Sequence, residues 1–133
     1  MTLPTDAKAR KALPVYTYIT EYFPDALIAE VEVAVAGNEQ HNPGEPLHWA
    51  REKSTDQLDC AQRHMLDHKK SHRDTDGQYH LAKAIWRLKA ELQLVIEAER
   101  KAAAAPRRFY CYVCDTVSTD SETCKNCGKP FPK

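Results

Sequence analysis

With 133 residues and 42% hydrophobic content, the chain can bury one domain-sized core and carry a small appendage. Nineteen basic residues balance nineteen acidic ones, which excludes a basic field for indiscriminate nucleic-acid binding. No apolar run reaches the roughly 18 residues of a membrane span, and the opening MTLPTDAKARKALP lacks the apolar core of a signal peptide, so a cytoplasmic location is expected.

Residues 1–24 read as an N-terminal arm. In PVYTYITEYFP, aromatic and β-branched residues alternate between prolines, which predicts an extended segment packed on something larger. The next stretch, DALIAEVEVAVAG, is ambiguous. Leu27, Val31, Ala34 and Val35 fit a helical stripe closed by Gly37, whereas Val31, Val33 and Val35 fit a strand equally well. After the loop NEQHNPGEPLHW, Ser54 and Gln57 have the spacing of a capping box and predict a helix over about 55–71. A second such spacing, Thr75 to Gln78, opens a longer helix on which Leu81, Ile85, Leu88, Leu92 and Val95 form a seam, with alanines carrying it to about 104. Pro106 ends it.

The last segment, 107–133, contains two C-x-x-C knuckles, Cys111 with Cys114 and Cys124 with Cys127. Four thiolates at this spacing can surround one zinc ion tetrahedrally, and metal binding would supply the folding energy that so short a segment lacks. Because four cysteines leave no coordination position for water, the zinc is expected to be structural. Two disulfides are the competing reading, and they conflict with the expected compartment.

Four of the six histidines and three aspartates fall between Arg63 and Leu81. Taken singly, each has a plain explanation. His64, His68 and His72 would lie along one side of a helix, Asp56 would complement the dipole of a first turn, Asp59 would pair with Arg63, and Asp74, Asp76 and Gly77 are turn formers. Together, Asp56 and Asp59 with Arg63 or His64 project from successive turns, and His80 opens the next helix within reach of the same end. Aspartate oxygens with one or two imidazoles suit magnesium or manganese, which would in turn hold phosphate. An EF-hand is excluded because Lys83 stands where its twelfth position needs an acid. A His-Asp phosphohydrolase is excluded because only the reverse order, Asp67-His68, occurs.

In this order, PDALIAEVEV, AGNEQHNPGEPLHW, LDCAQRH and DTDGQYHLAKAIWRLKAEL resemble the phage-associated dATP/dGTP diphosphohydrolase N-terminal-domain family, a relative of the MazG-like nucleoside triphosphate pyrophosphohydrolases. The resemblance runs over about residues 12–98 and rests on Trp49, Arg63-His64, Asp76-Gly77 and His80-Leu81-Ala82. It implies an all-α fold, a MazG-like helical bundle over 25–105 completed by oligomerisation, with the C-terminal zinc ribbon attached. It also makes DALIAEVEVAVAG a helix.

The implied activity is hydrolysis of a purine deoxynucleoside triphosphate at the α-phosphorus, giving monophosphate and pyrophosphate with magnesium or manganese. MazG-like enzymes hold their metal with an E-x-x-E pair and a later E-x-x-D pair. Here Glu30 matches an acid of the first pair, with Val33 three residues on, and Asp56-x-x-Asp59 has the spacing of the second. The implied metal ligands are Glu30, Asp56, Asp59 and Asp76. Among the implied catalytic residues, His64 and His80 join Glu30, Asp59 and Asp76 as ligands or as groups orienting them. Lys53 and Arg63 would neutralise phosphate charge, while His41, Asn42 and Trp49 would form the base pocket. Trp49 reads equally well as a plug beneath its loop.

The third helix, about 28 residues and roughly 40 Å long, exceeds the first, so part of its seam needs a second chain. A homodimer or homotetramer is therefore expected. The rival reading is a non-catalytic oligomeric phage adaptor whose ribbon binds nucleic acid or a host protein through Arg107, Arg108, Lys125, Lys129 and Lys133. Asp115, Asp120 and Glu122 offset much of that charge.

Overall fold

The computed structural model describes residues 3–119 and 122–131. It is mostly helical, with a two-stranded antiparallel sheet near the C-terminus. The chain divides into two compact units, one up to Gln93 and one from Leu94 onward.

The N-terminal segment is helical, which corrects the expected extended arm. Asp6 accepts the Ala9 N–H at 2.8 Å and caps α1 (Ala7–Lys11). Beyond Pro14 the chain turns into a π-helical stretch, Thr17–Glu21, in which Tyr18 N–H reaches the Pro14 carbonyl at 3.0 Å. A helical turn brings Tyr18, Tyr22 and Phe23 together edge to face, with centroids 5.7–6.2 Å apart, whereas a strand would send alternate rings to opposite sides.

Helix α2 (Pro24–His41) starts with proline at its first turn and runs four residues past Gly37. Gly37 sits inside the helix rather than closing it. The expected stripe is also displaced, because Val31 and Val35 are about half exposed. The inward side instead carries Leu27, Glu30, Ala34 and Asn38. Helix α3 (Gln57–His68) has Asp56, not Ser54, at its N-cap, and it ends three residues before the expected boundary. The capping box is rearranged. Ser54 donates its hydroxyl to the Asp56 carboxylate at 2.8 Å, and Gln57 turns back to give its side-chain N–H to the Ser54 carbonyl at 3.0 Å. Helix α4 (His80–Ala104) likewise begins beyond the predicted Thr75 cap, since residues 74–78 form a turn instead.

The core of the first unit is built from small residues. Ala61 on α3 and Ala82, Ala84 and Ala90 on α4 are buried, together with Gln57 and His80. Among the described residues every large aliphatic or aromatic side chain keeps some exposure, and Leu81, Ile85, Leu88 and Leu92 of the seam are 39–58% exposed. No helix among the described residues is long and apolar enough to cross a membrane.

In the second unit, β1 (Arg108–Cys111) pairs with β2 (Thr116–Thr119) so that Arg108 faces Thr119 and Cys111 faces Thr116. Phe109 stacks on Phe131 at 5.1 Å and Tyr110 meets Tyr112 edge to face at 4.8 Å, in a segment with little apolar mass.

Candidate functional site

The connection between α3 and α4 folds back on itself. Asp74 N–H bonds the Gln78 carbonyl and Gly77 N–H the Asp74 carbonyl, each at 2.9 Å, while His80 N–H reaches the His72 carbonyl at 3.1 Å. Gly77 adopts φ +84°, a left-handed value that glycine reaches without the penalty of a side chain. The Asp76 carboxylate accepts Gln78 N–H at 3.0 Å and the Asp74 carboxylate accepts Thr75 N–H at 2.7 Å, so the turn fixes both acids.

Lys83, one turn into α4, reaches back to both. Its ammonium lies 2.7 Å from Asp74 and 2.6 Å from Asp76, and its side chain is only 16% exposed. The Lys83 hydrogen bond, helped by Thr75 N–H, holds the Asp74 carboxyl at about 2, and Asp76 is lowered chiefly by the same lysine. Burial alone would lower the Lys83 ammonium, but its bonds to the two carboxylates outweigh that and raise it.

Beside this cluster, His64 of α3 and His80 of α4 face each other with Nδ1 atoms 3.1 Å apart. His80 is buried. Burial, followed by the charge of Lys83, lowers the His64 pKa, which favours a neutral imidazole. Ligand atoms of His64, Asp74 and His80 all lie within 4.8 Å of one another.

A cavity of about 670 Å³ adjoins the cluster, lined by the inner side of α2, the loop after it, and α4. It brings together His41, Asn42, Trp49, Lys53, His64 and Asp76 from the sequence-predicted set. It adds Lys83, Trp86 and Arg87. Buried Asn38 holds the loop in place, giving its side-chain N–H to the Glu45 carbonyl at 2.9 Å and accepting His48 N–H at 3.3 Å. Lys53 donates to the His41 carbonyl and to the Asn42 side chain at 3.1 and 3.0 Å. Trp49 meets Trp86 edge to face at 6.1 Å, and the Arg51 guanidinium lies 4.4 Å over the Trp49 ring. Arg87 sits over Trp86 at 5.2 Å and donates to Ser54 Oγ at 2.7 Å and Gln57 Oε1 at 3.1 Å.

Other sequence-predicted residues lie elsewhere. Glu30 lines a second cavity, of about 710 Å³, walled by Leu13, Tyr18 and Phe23, and is paired with Lys89. Asp56 is 2.7 Å from Arg63, so Arg63 pairs with Asp56 rather than with Asp59 as expected. That bond lowers the Asp56 pKa. Asp59 is exposed, about 140° around α3 from His64 at about 100° per residue. Among the described residues, no three of Glu30, Asp56, Asp59 and Asp76 offer ligand atoms to one point. Sequence reasoning gave Asp74 only the role of a turn former, and it did not select Asn38, Trp86 or Arg87. One signal was present: His80, Lys83 and Arg87 recur at i, i+3 and i+7 and so share a face of α4.

In the second unit the four Sγ atoms of Cys111, Cys114, Cys124 and Cys127 lie within 4.8 Å of one another. Cys111–Cys127 and Cys114–Cys124 are 3.6 and 3.4 Å apart, and all four are free thiols. Zinc–sulfur bonds of about 2.3 Å would place tetrahedral sulfurs ~3.8 Å apart, so this cluster can hold a metal such as zinc with little movement. Thr116 Oγ1, 3.5 Å from Cys124 Sγ, together with the Cys127 and Asn126 backbone, holds the Cys124 thiol down. Cys127, despite its Lys129 backbone bond, is pushed up by burial and the neighbouring cysteines, the pattern of crowded sulfurs that share one negative charge.

No curated protein and no solved structure matches the chain. A family model described as dATP/dGTP diphosphohydrolase, N-terminal, matches residues 4–104, which span the N-terminal segment, the pocket and all of α4. The chain therefore belongs to the dATP/dGTP diphosphohydrolase N-terminal domain family.

Proposed function

We propose that the chain hydrolyses dATP or dGTP to the monophosphate and pyrophosphate, with the 670 Å³ cavity as the nucleotide site. The observation that carries this reading is one cavity lined by two indoles, by Lys53, Lys83 and Arg87, and by His64 and Asp76 at the edge of a carboxylate–imidazole cluster, in a chain of this family. The volume is within the usual range for small-molecule sites, about 300–1,000 Å³. Trp49 and Trp86 offer ring surface for a purine, with His41 and Asn42 beside them. Lys53 and Arg87 neutralise phosphate charge. Arg63, committed to Asp56, stays outside the cavity.

The donor set beside the cavity suits a divalent cation, manganese better than magnesium, because Asp74 supplies an oxygen and His64 and His80 supply nitrogens. Such an ion, when bound, supplies charge neutralisation at the phosphates and a more acidic water. Glu30 and Asp56 keep their partners Lys89 and Arg63 and support the fold. The exposed seam of α4 and the absence of any fully buried large apolar side chain among the described residues support a MazG-like bundle completed by a second copy. The cysteine cluster takes structural zinc.

The test is to incubate the purified protein with each deoxynucleoside triphosphate and magnesium or manganese and to identify the products. Monophosphate and pyrophosphate are expected from a purine substrate. Absence of turnover with all of them refutes the proposal.

A further inference from the structure

We infer that His64, His80 and Asp74 form a site for one transition-metal ion of the zinc, cobalt or manganese class, and that the Lys83 ammonium is the built-in competitor for it. The inference refines the metal of the proposed hydrolase and rests on that reading for its role. Its binding test does not depend on turnover.

The geometry comes from the helix hairpin. His64 lies one turn before the end of α3 and His80 is the first residue of α4, so the connection folds the two imidazoles together. Their Nδ1 atoms are 3.1 Å apart. Two nitrogens bound to one ion at about 2.0–2.1 Å in tetrahedral geometry stand ~3.3 Å apart, so almost no movement separates the present contact from joint ligation. Without an ion the contact is a hydrogen bond in which one ring carries its proton on Nδ1 and the other accepts, and a cation would take the place of that one proton.

Asp74 completes a triad within 4.8 Å and supplies the one anionic donor. Its Oδ1 is held by Thr75, and its Oδ2 takes the Lys83 ammonium at 2.7 Å. Lys83 also has Asp76 at 2.6 Å, so it can release Asp74 and keep an ion pair. Two imidazoles and a single carboxylate favour borderline cations over magnesium, which demands nearly all-oxygen coordination. A cation arriving at Asp74 must displace one that is already there. Lys83 therefore sets the affinity as much as the ligands do.

The test uses the full chain with zinc at its cysteines, titrated with cobalt(II) and followed by visible absorption. Cobalt on cysteines gives a thiolate charge-transfer band, whereas cobalt on imidazole and carboxylate does not. About one equivalent of the second kind is expected. It should be lost in His64→Gln and in His80→Ala, with folding checked by circular dichroism, and bound roughly tenfold more tightly in Lys83→Gln, the scale on which groups beside the ligands tune affinity. A resident second zinc per chain that the histidine variants lose supports the same conclusion. The inference is overturned if neither the wild type nor Lys83→Gln binds cobalt without the charge-transfer band, or if both histidine variants still do. Lost turnover with intact cobalt binding would count against the proposed hydrolysis and leave this site standing.

Discussion

Arg87→Met should be among the most damaging single changes to the helical unit. Gln57 is 2% exposed at the start of α3, and its Oε1 accepts from Arg87 Nη1 at 3.1 Å while its Nε2 donates to the Ser54 carbonyl at 3.0 Å. Methionine preserves much of the arginine stem but leaves Oε1 as a buried acceptor with no donor. A buried polar group stranded in this way, after losing a charged partner, costs about 2–3 kcal/mol. Ser54 Oγ, half-buried, also loses a 2.7 Å bond, but it keeps its contact with Asp56 and can take water. For a unit of this size, 1 kcal/mol corresponds to about 4–8 °C, so the melting temperature should fall by about 8–24 °C at fixed protein concentration. Adding Gln57→Leu removes the stranded acceptor and should restore at least half of the loss, because replacing both partners by apolar groups is nearly neutral and the Ser54 carbonyl, which loses the Gln57 N–H, belongs to a half-buried residue that water can reach. Thermal melts of the wild type, both single variants and the double variant form a complete cycle. A loss below about 0.5 kcal/mol for Arg87→Met, the level of an ordinary surface change, would show that this network does not hold α3 to α4.

Four further outcomes are expected. Metal analysis should find about one zinc per chain at the cysteines, and Cys124→Ser should lose it while the helical circular dichroism persists; equal zinc in both proteins would disprove the cysteine site. Trp49→Ala should weaken nucleotide binding in calorimetry by about 1–3 kcal/mol, the value of one base–aromatic stack, and unchanged affinity would return Trp49 to the role of a plug. Gly77→Ala should lower stability by about 1–2 kcal/mol, because a Cβ is strained at φ +84° even where space is open, and a neutral effect in chemical denaturation would contradict that reading of the turn. Leu92, 58% exposed on the seam, should hold copies together, so that light scattering reports an oligomer for the wild type and a smaller species for Leu92→Asp; a wild-type monomer at micromolar concentration would rule this out.

What was legible in the sequence follows from range. The long helix was readable because 3.6-residue periodicity is a local property, but its inward face was not, since Ala82, Ala84 and Ala90 are buried while Leu81, Ile85, Leu88, Leu92 and Val95 stay exposed. The four cysteines were readable because knuckle spacing encodes a coordination geometry. The N-terminal segment was misread because PVYTYITEYFP satisfies a period of two by composition, while the ring cluster that stabilises its helical turn involves Tyr18 and Tyr22 four residues apart. The two capping boxes failed for different reasons, the first tertiary and the second a competing local turn. Ser54 and Gln57 are taken by Arg87, some thirty residues away, and Thr75 lies in a turn closed by Gly77. The same limit applies to Asn38. Nothing local distinguishes an asparagine near a helix end from one that holds a loop seven to ten residues further on.

The acids show how a boundary error of four residues redirects a site. A helix starting after Thr75 would place Asp76 in its first turn, where a carboxylate is explained by the dipole and points along the helix. Starting α4 at His80 instead moves the helix end by about 6 Å at 1.5 Å per residue, yet changes the facing by only about 40°, so the seam from Leu81 onward keeps its phase. Residues 74–79 then become a turn whose hydrogen bonds fix the backbone between the two aspartates. From that turn Asp74, the residue that looked purely structural, stands within ligand distance of His64 and His80, and Asp76 lies on the cavity wall. Lys83 touches both acids, at spacings of nine and seven residues that lie two or more turns apart on a helix and so out of reach there. The chemistry of the cluster thus depends on where a turn ends and a helix begins, a boundary at which Gly77 and the backbone bond from His80 to His72 act together with the Asp74 and Asp76 carboxylates that accept the turn's N–H groups.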